Sequence, residues 1–275
     1  MEDRVILIDK PAGMSSFGVV AKVRGRLKAE LGHKVKVGHT GTLDPFATGL
    51  LILLSGKMTK KSGEFLKLDK EYVATLKLGF TSTTGDIEGE IQSYSNEGDA
   101  SDKIQSHLIS DTGRKIQSCS TRGASDKIQS HLISDTGRSR PSLRGSRPNS
   151  RPWPPKCPQS SVIESAVKSF VGVIEQTPPK YSAIKINGER AYKLARKGQD
   201  FEVPSRKVEI YNIEILKYEY PELTIRCEVS SGTYIRTLAE DIGKKLGVGA
   251  YLTELRRTKV GKYDVKDAVK LEDFV

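Results

Sequence analysis

Residues Ala100–Arg114 recur letter for letter as Ala124–Arg138. Lys-Ile-Gln-Ser begins at Lys103, Lys115 and Lys127, so the underlying period is 12 residues. A stacked repeat fold needs apolar positions to recur in every unit, yet the unit around Gly113 offers only Ile116. The surrounding stretch, Ser95–Ser160, holds six of the 12 prolines, 14 serines, two of the three cysteines and the only tryptophan. Perfect repetition in so polar a context points to tandem duplication of coding sequence and reads as disordered. A basic segment contacting RNA is its functional alternative. The ordered core must then come from two pieces, residues 1–94 and 161–275.

Charge bears on the partner. Lys+Arg number 45 against 34 Asp+Glu, a net +11, which favours a polyanion because each phosphate neutralised releases a counterion. The repeat segment carries +5 of that excess, so its weight as evidence is halved. No run of eighteen apolar residues is present to span a membrane, and the first residues do not form a secretory signal. Three scattered cysteines and four histidines make neither a disulfide framework nor a metal site. The chain reads as cytoplasmic and cofactor-free.

Periodicity places the elements. Val5–Ile8 predicts a strand, followed by a turn at Lys10-Pro11-Ala12-Gly13. A helix capped by Ser15 or Ser16 follows, with Val19, Val20, Val23, Leu27 and Leu31 on one face. Strands are expected at Lys34–Val37, Leu50–Leu54 and Glu71–Leu78, the last with Tyr72, Ala74, Leu76 and Leu78 facing one way. Beyond the repeats come helices at Val162–Phe170, Glu189–Lys197 and Tyr234–Leu246, and two antiparallel strands, Val208–Leu216 and Leu223–Val229. Without a regular strand–helix–strand rhythm, the pattern predicts an α+β mixed sheet.

One loop carries chemistry. Gly38-His39-Thr40-Gly41-Thr42-Leu43-Asp44-Pro45-Phe46-Ala47-Thr48-Gly49 presents a single carboxylate between two strands. Pro45 keeps Asp44 extended and so fixes its direction, and the glycines are expected to let a large ligand approach. Taken alone, such an Asp-Pro pair is more often a turn bonded to its own backbone.

The full string resembles the catalytic motif of the TruB family, the tRNA pseudouridine-55 synthases. Other motifs of that family appear in order: Asp9–Ser16, Lys70-Glu71-Tyr72, Leu78–Asp86, Gln176–Lys185, Gly232–Gly243 and Leu255-Arg256-Arg257-Thr258. The resemblance implies a pseudouridine-synthase fold, a mostly antiparallel mixed sheet flanked by helices with a thumb insertion. It implies that Asp44 is the essential carboxylate, adding to base or sugar or acting on a sugar proton. Tyr72 would stack on the flipped base, and Arg236 would pair with Asp44 through paired hydrogen bonds. His39 would pack against the target nucleotide, and Tyr234 and Leu255 would line the uracil pocket.

The implied reaction is redox-neutral isomerisation of uridine 55 in the tRNA T-arm, with no metal, by a monomer needing no protein partner. Two features depart from the family pattern. A repeat segment splits the catalytic domain, and the usual C-terminal PUA-type RNA-binding module is expected to be missing. Another RNA substrate and a non-catalytic, tRNA-remodelling protein are the competing readings.

Overall fold

The computed structural model describes residues 3–94, 157–182, 184–186 and 188–274. The repeats and most of the segment containing them lie outside the described residues.

Strand β1 (Val5–Lys10) alternates so that Ile6, Ile8 and Lys10 are buried. Helix α1 (Ser16–Leu31) starts where the Ser15 hydroxyl accepts from the Gly18 amide, and ends at Gly32 in the left-handed region. That is the cap-and-stop pair expected of a helix. Val19, Val20, Val23 and Leu27 are buried against Ile6, Ile8, Leu51 and Leu53, each contributing roughly 1.5–3 kcal/mol at most. Strand β2 (Val37–His39) is later and shorter than the alternation at Lys34–Val37 predicts. Its partner β3 (Thr48–Ser55) ends opposite Val37, so the residues before Val37 have no ladder to join. Leu50, Ile52 and Leu54 fill a core on one side of β3 and Leu51 and Leu53 one on the other. This explains its unbroken apolar run.

Helix α2 (Ser62–Leu66) leads into β4 (Lys70–Leu78), where Tyr72, Ala74, Leu76 and Leu78 are buried as the alternation predicts. The small strands β5 (Phe80–Ser82) and β6 (Ile91–Ser93) pair with each other. Helix α3 (Ser160–Lys168) begins two residues before the apolar pattern does. Cys157–Gln159 also contribute, since the Tyr218 hydroxyl donates to the Pro158 carbonyl at 2.7 Å and sits 3.3 Å from Cys157 Sγ.

Strand β7 (Gly172–Gln176) comes next. The helix expected at Glu189–Lys197 is shorter, because Glu189–Arg190 (β9) pairs with Lys185–Ile186 (β8) and leaves only Ala191–Arg196 as α4. Strands β10 (Arg206–Glu219) and β11 (Glu222–Val229) form the expected antiparallel pair. Helix α5 (Ile235–Lys245) follows, then β12 (Ala250–Val260), β13 (Tyr263–Asp264), β14 (Val269–Lys270) and α6 (Leu271–Phe274).

The main sheet runs β14-β1-β3-β12-β4-β11-β10-β7, with β2 on β3 and β13 on β12, ten strands among the described residues. Only the β1–β14 and β12–β3 pairs are parallel, so the sheet is mixed and mostly antiparallel, flanked by helices. Its largest core joins α3 and α5 to β4, β10, β11 and β12 through residues such as Ile163, Leu238, Leu76 and Ile225. β12 sits mid-sheet, between β3 and β4, and periodicity does not predict it. Register shifts between Leu252 and Glu254 and between Arg257 and Lys259 break its alternation.

Candidate active site

The Asp44 loop joins β2 to β3, and its apolar residues hold it in place. Leu43, Phe46 and Ala47 are buried in the main core, which leaves the intervening Asp44 side chain half-open to a cleft. The N-terminal motif clamps the loop backbone. The Ser16 hydroxyl accepts from the Leu43 amide at 2.8 Å and donates to the Leu43 carbonyl at 2.9 Å. The fully buried Lys10 ammonium donates to the carbonyls of Pro11, Met14 and Pro45 at 2.8, 2.7 and 3.1 Å. Burial pulls its pKa down to about 8, so it is still mostly charged at neutral pH and faces Asp44 as a cation.

Arg236 and Arg257 approach from the other side. Arg236 projects from the first turn of α5 and is 5 % exposed. Its Nε lies 3.2 Å from Asp44 Oδ2, while Nη1 donates to the Thr84 carbonyl at 3.0 Å and to Asp86 Oδ2 at 3.2 Å. Nη2 donates to the Tyr181 carbonyl at 2.9 Å. The guanidinium therefore touches Asp44 at one point, not two as expected, because its other face is spent on Asp86 and two carbonyls. Arg257, from β12, donates through Nε to the Leu50 carbonyl at 2.8 Å and through Nη2 to Gly41 at 3.2 Å.

Gly49 explains how close the strands come. A Cβ there would lie 2.3 Å from the Arg257 carbonyl oxygen, and its φ is +101°. The close approach that this glycine permits is between β3 and β12, not toward a ligand as expected from the sequence. At Gly41, by contrast, the nearest atom to an added Cβ is the Arg257 side chain at 3.6 Å.

Burial raises the pKa of Asp44 above the ordinary aspartate range. The Arg236 charge opposes that shift, and the nearby Asp86 reinforces it. Tyr72 is raised by burial and stays a neutral phenol. His39 is lowered by burial and by the charges of Arg257 and Arg190, so it is a neutral imidazole at pH 7.

Asp44, Tyr72, His39, Tyr234, Arg236 and Leu255 all line one cleft of about 1190 Å³. That exceeds the space a small ligand fills. Lys70, Arg190, Arg196 and Arg206 add cations to the cleft wall. Tyr234 is fixed by a two-point bracket, its amide donating to Gln176 Oε1 at 2.7 Å and its carbonyl accepting from Gln176 Nε2 at 3.0 Å. The Arg206 guanidinium lies 5.0 Å from its ring centre.

A part-exposed carboxylate thus shares one cleft with several cations and with a phenol and an imidazole that are both neutral. Residues 28–139 and 149–235 match the TruB family pseudouridylate synthase N-terminal domain. The chain belongs to the TruB family. Residues 236–275 match the tRNA pseudouridylate synthase B C-terminal domain.

Among TruB relatives, tRNA pseudouridine synthase B of Phocaeicola vulgatus is 38% identical over 275 residues, spanning 99% of this chain and 92% of that protein. The protein of the same name from Aquifex aeolicus is 37% identical over 276 residues, spanning 99% of this chain and 74% of that one. Among solved structures, a Cbf5-Nop10-Gar1 complex matches with a TM-score of 0.58 and 27% identity. The match covers 98% of this chain and 52% of that one, so this TruB chain spans about half of that neighbour.

Ser16, Asp86 and Arg257 line this cleft and Lys10 bonds the Asp44 loop, yet apart from Ser16 as a candidate helix cap the sequence assigns them no role. Each falls inside a motif quoted above, which is the only sequence signal for them. Buried polar side chains bonded to backbone carbonyls leave no periodic trace. Among the described residues no group of three His, Cys, Asp or Glu side chains is arranged to hold a metal. No described helix is long and apolar enough to cross a membrane.

Proposed function

We propose that this protein is a tRNA pseudouridine synthase that isomerises uridine 55 in the T-loop, with Asp44 as its catalytic carboxylate. The observation that carries the reading is the 3.2 Å contact between Asp44 and a buried Arg236 at the base of a cationic cleft. A stacked uridine cannot reach so recessed a carboxylate, so the nucleotide flips out at a cost of a few kcal/mol. The cations of the cleft wall offset that cost by binding flanking phosphates. His39 packs on the target nucleotide, Tyr72 stacks on the base, and Tyr234 and Leu255 keep water from the cleaved intermediate.

Breaking the N-glycosidic bond frees the uracil, which rejoins the same ribose through carbon C5. The hydrogen on C5 leaves as a proton and the ring nitrogen gains one, so no electrons enter or leave. Asp44 serves by adding to base or sugar or by taking a sugar proton. The enzyme acts as a monomer in the cytoplasm without a metal or cofactor.

The test is to incubate the purified protein with an unmodified tRNA transcript in EDTA and map pseudouridine. Pseudouridine at position 55 alone is expected. Modification only elsewhere, or none without added metal, overturns the reading.

A further inference from the structure

A second concave surface lies outside the catalytic cleft. It is a groove of about 680 Å³ lined by Ala21, Arg24, Gly25, Lys28, Lys34, Val35, Lys36 and Val37. Four cations line it and no carboxylate does. All four are exposed, and among the described residues none of them is engaged in an ion pair. Four uncompensated positive charges in one concavity repel one another, so the arrangement is suited to a polyanion.

Both walls of the groove lead to the catalytic cleft. On α1, Phe17, Ala21, Arg24 and Lys28 follow the i, i+4, i+7, i+11 spacing that puts them on one stripe of the helix. That stripe is exposed, and it is distinct from the buried face of Val19, Val20, Val23 and Leu27. Phe17, 67% exposed, lines the catalytic cleft, whereas Arg24 and Lys28 line the groove. About 10 Å of helix rise separates Phe17 from Arg24. On the other wall, Val37 belongs to the groove and His39 to the cleft, roughly 7 Å apart along β2. An exposed aromatic that gives way to spaced cations is the composition of a surface that tracks a nucleic-acid backbone.

We propose that this groove extends the catalytic cleft as a track for the phosphodiester backbone of the substrate RNA. Arg24, Lys28, Lys34 and Lys36 hold phosphates beyond the target nucleotide, and Phe17 bridges the track to the site. The inference rests on the reading of the cleft as an RNA-modifying site. The occupant is RNA because the charged lining is entirely cationic and the remaining lining residues, Ala21, Gly25, Val35 and Val37, include no aromatic side chain of the kind that anchors a protein interface.

The test compares wild type with the fourfold variant Arg24→Gln, Lys28→Gln, Lys34→Gln, Lys36→Gln. A control, Lys28→Arg, Lys34→Arg, Lys36→Arg, keeps the charge. KM and kcat are measured on an unmodified tRNA transcript, together with the salt dependence of its Kd. The glutamine variant should raise KM at least about tenfold and change kcat less than about twofold. It should also lower the log Kd against log salt slope by about three to four, while the arginine control stays near wild type.

Wild-type KM and slope in the glutamine variant overturn the track and leave the proposed function standing. Equal loss in the arginine control also overturns it, because the effect would then not be one of charge. If wild type binds no tRNA at all, the proposed function falls first and the track with it. Should the fourfold variant lose its circular dichroism, the Arg24/Lys28 pair on the helix and the Lys34/Lys36 pair before β2 are each changed alone and read separately by the slope.

Discussion

Asp44 lies among Lys10, Arg236 and Arg257, yet burial and Asp86 still leave its pKa raised. A carboxyl raised by folding contributes stability that is complete below its unfolded pKa and is lost as pH rises through its folded pKa. At pH 7 the ionised Asp44 is therefore a net cost to the fold, of the kind active sites tolerate. Asp44→Asn is expected to abolish pseudouridine formation, leave tRNA Kd within about threefold, and melt no lower than wild type at pH 7. Retained turnover in that variant would sink the catalytic assignment. Because the ionised form does the work, kcat/KM should fall with acid through a pKa above the ordinary aspartate value of 3.8. An acid limb at or below 3.8 would contradict the burial argument.

Arg236→Lys removes contacts to Asp44, Asp86 and the Tyr181 carbonyl that one ammonium cannot span together. At least a tenfold loss of kcat, about 1.4 kcal/mol of transition-state stabilisation, should appear in single-turnover assays. A loss under twofold would mean the three-way anchorage is dispensable.

Among the elements, β12 does the most to assemble the site. It carries Leu255 and Arg257, pairs with both β3 and β4, and sits against Gly49 with no room for a side chain. Gly49→Ala should therefore cost at least about 3 kcal/mol, combining backbone strain with a clash against main chain that cannot swing aside. Denaturant unfolding measures this. A change below about 1 kcal/mol would show that β3 and β12 can separate cheaply. The same pairing explains why activity should suffer beyond the stability loss, since the Arg257 guanidinium also holds the carbonyls of Leu50 and Gly41.

At the scale of the whole molecule, the sheet is built from two stretches of chain separated by the repeats. Strand β4 from the first is paired to β11 and β12 from the second along nearly its whole length. Replacing residues 95–156 by a short Gly/Ser linker should change Tm by less than about 3 °C and leave kcat near wild type, since loop length costs only roughly 0.6 kcal/mol per doubling. The replacement stops at 156 because Cys157 and Pro158 contact Tyr218. Unfolding of the shortened protein would show that the repeat segment supports the core.

Local pattern alone determined much of this protein. The valines of α1 and the alternation of β4 follow from the period that one face of burial imposes on its own segment, and the unbroken apolar run of β3 from burial on both faces. The Asp44 loop was legible for another reason, since a long motif is specific even when its geometry is unknown. Tertiary structure alone decided the central place of β12, whose bulges erase its period. It also decided where β2 begins, because a strand extends only as far as its partner. The single-point contact of Arg236 with Asp44 was likewise invisible, as the competing Asp86 lies 150 residues away in sequence. Buried Lys10 and Arg257 were hidden for a different reason: their partners are backbone carbonyls, a chemistry every residue offers and no residue type announces.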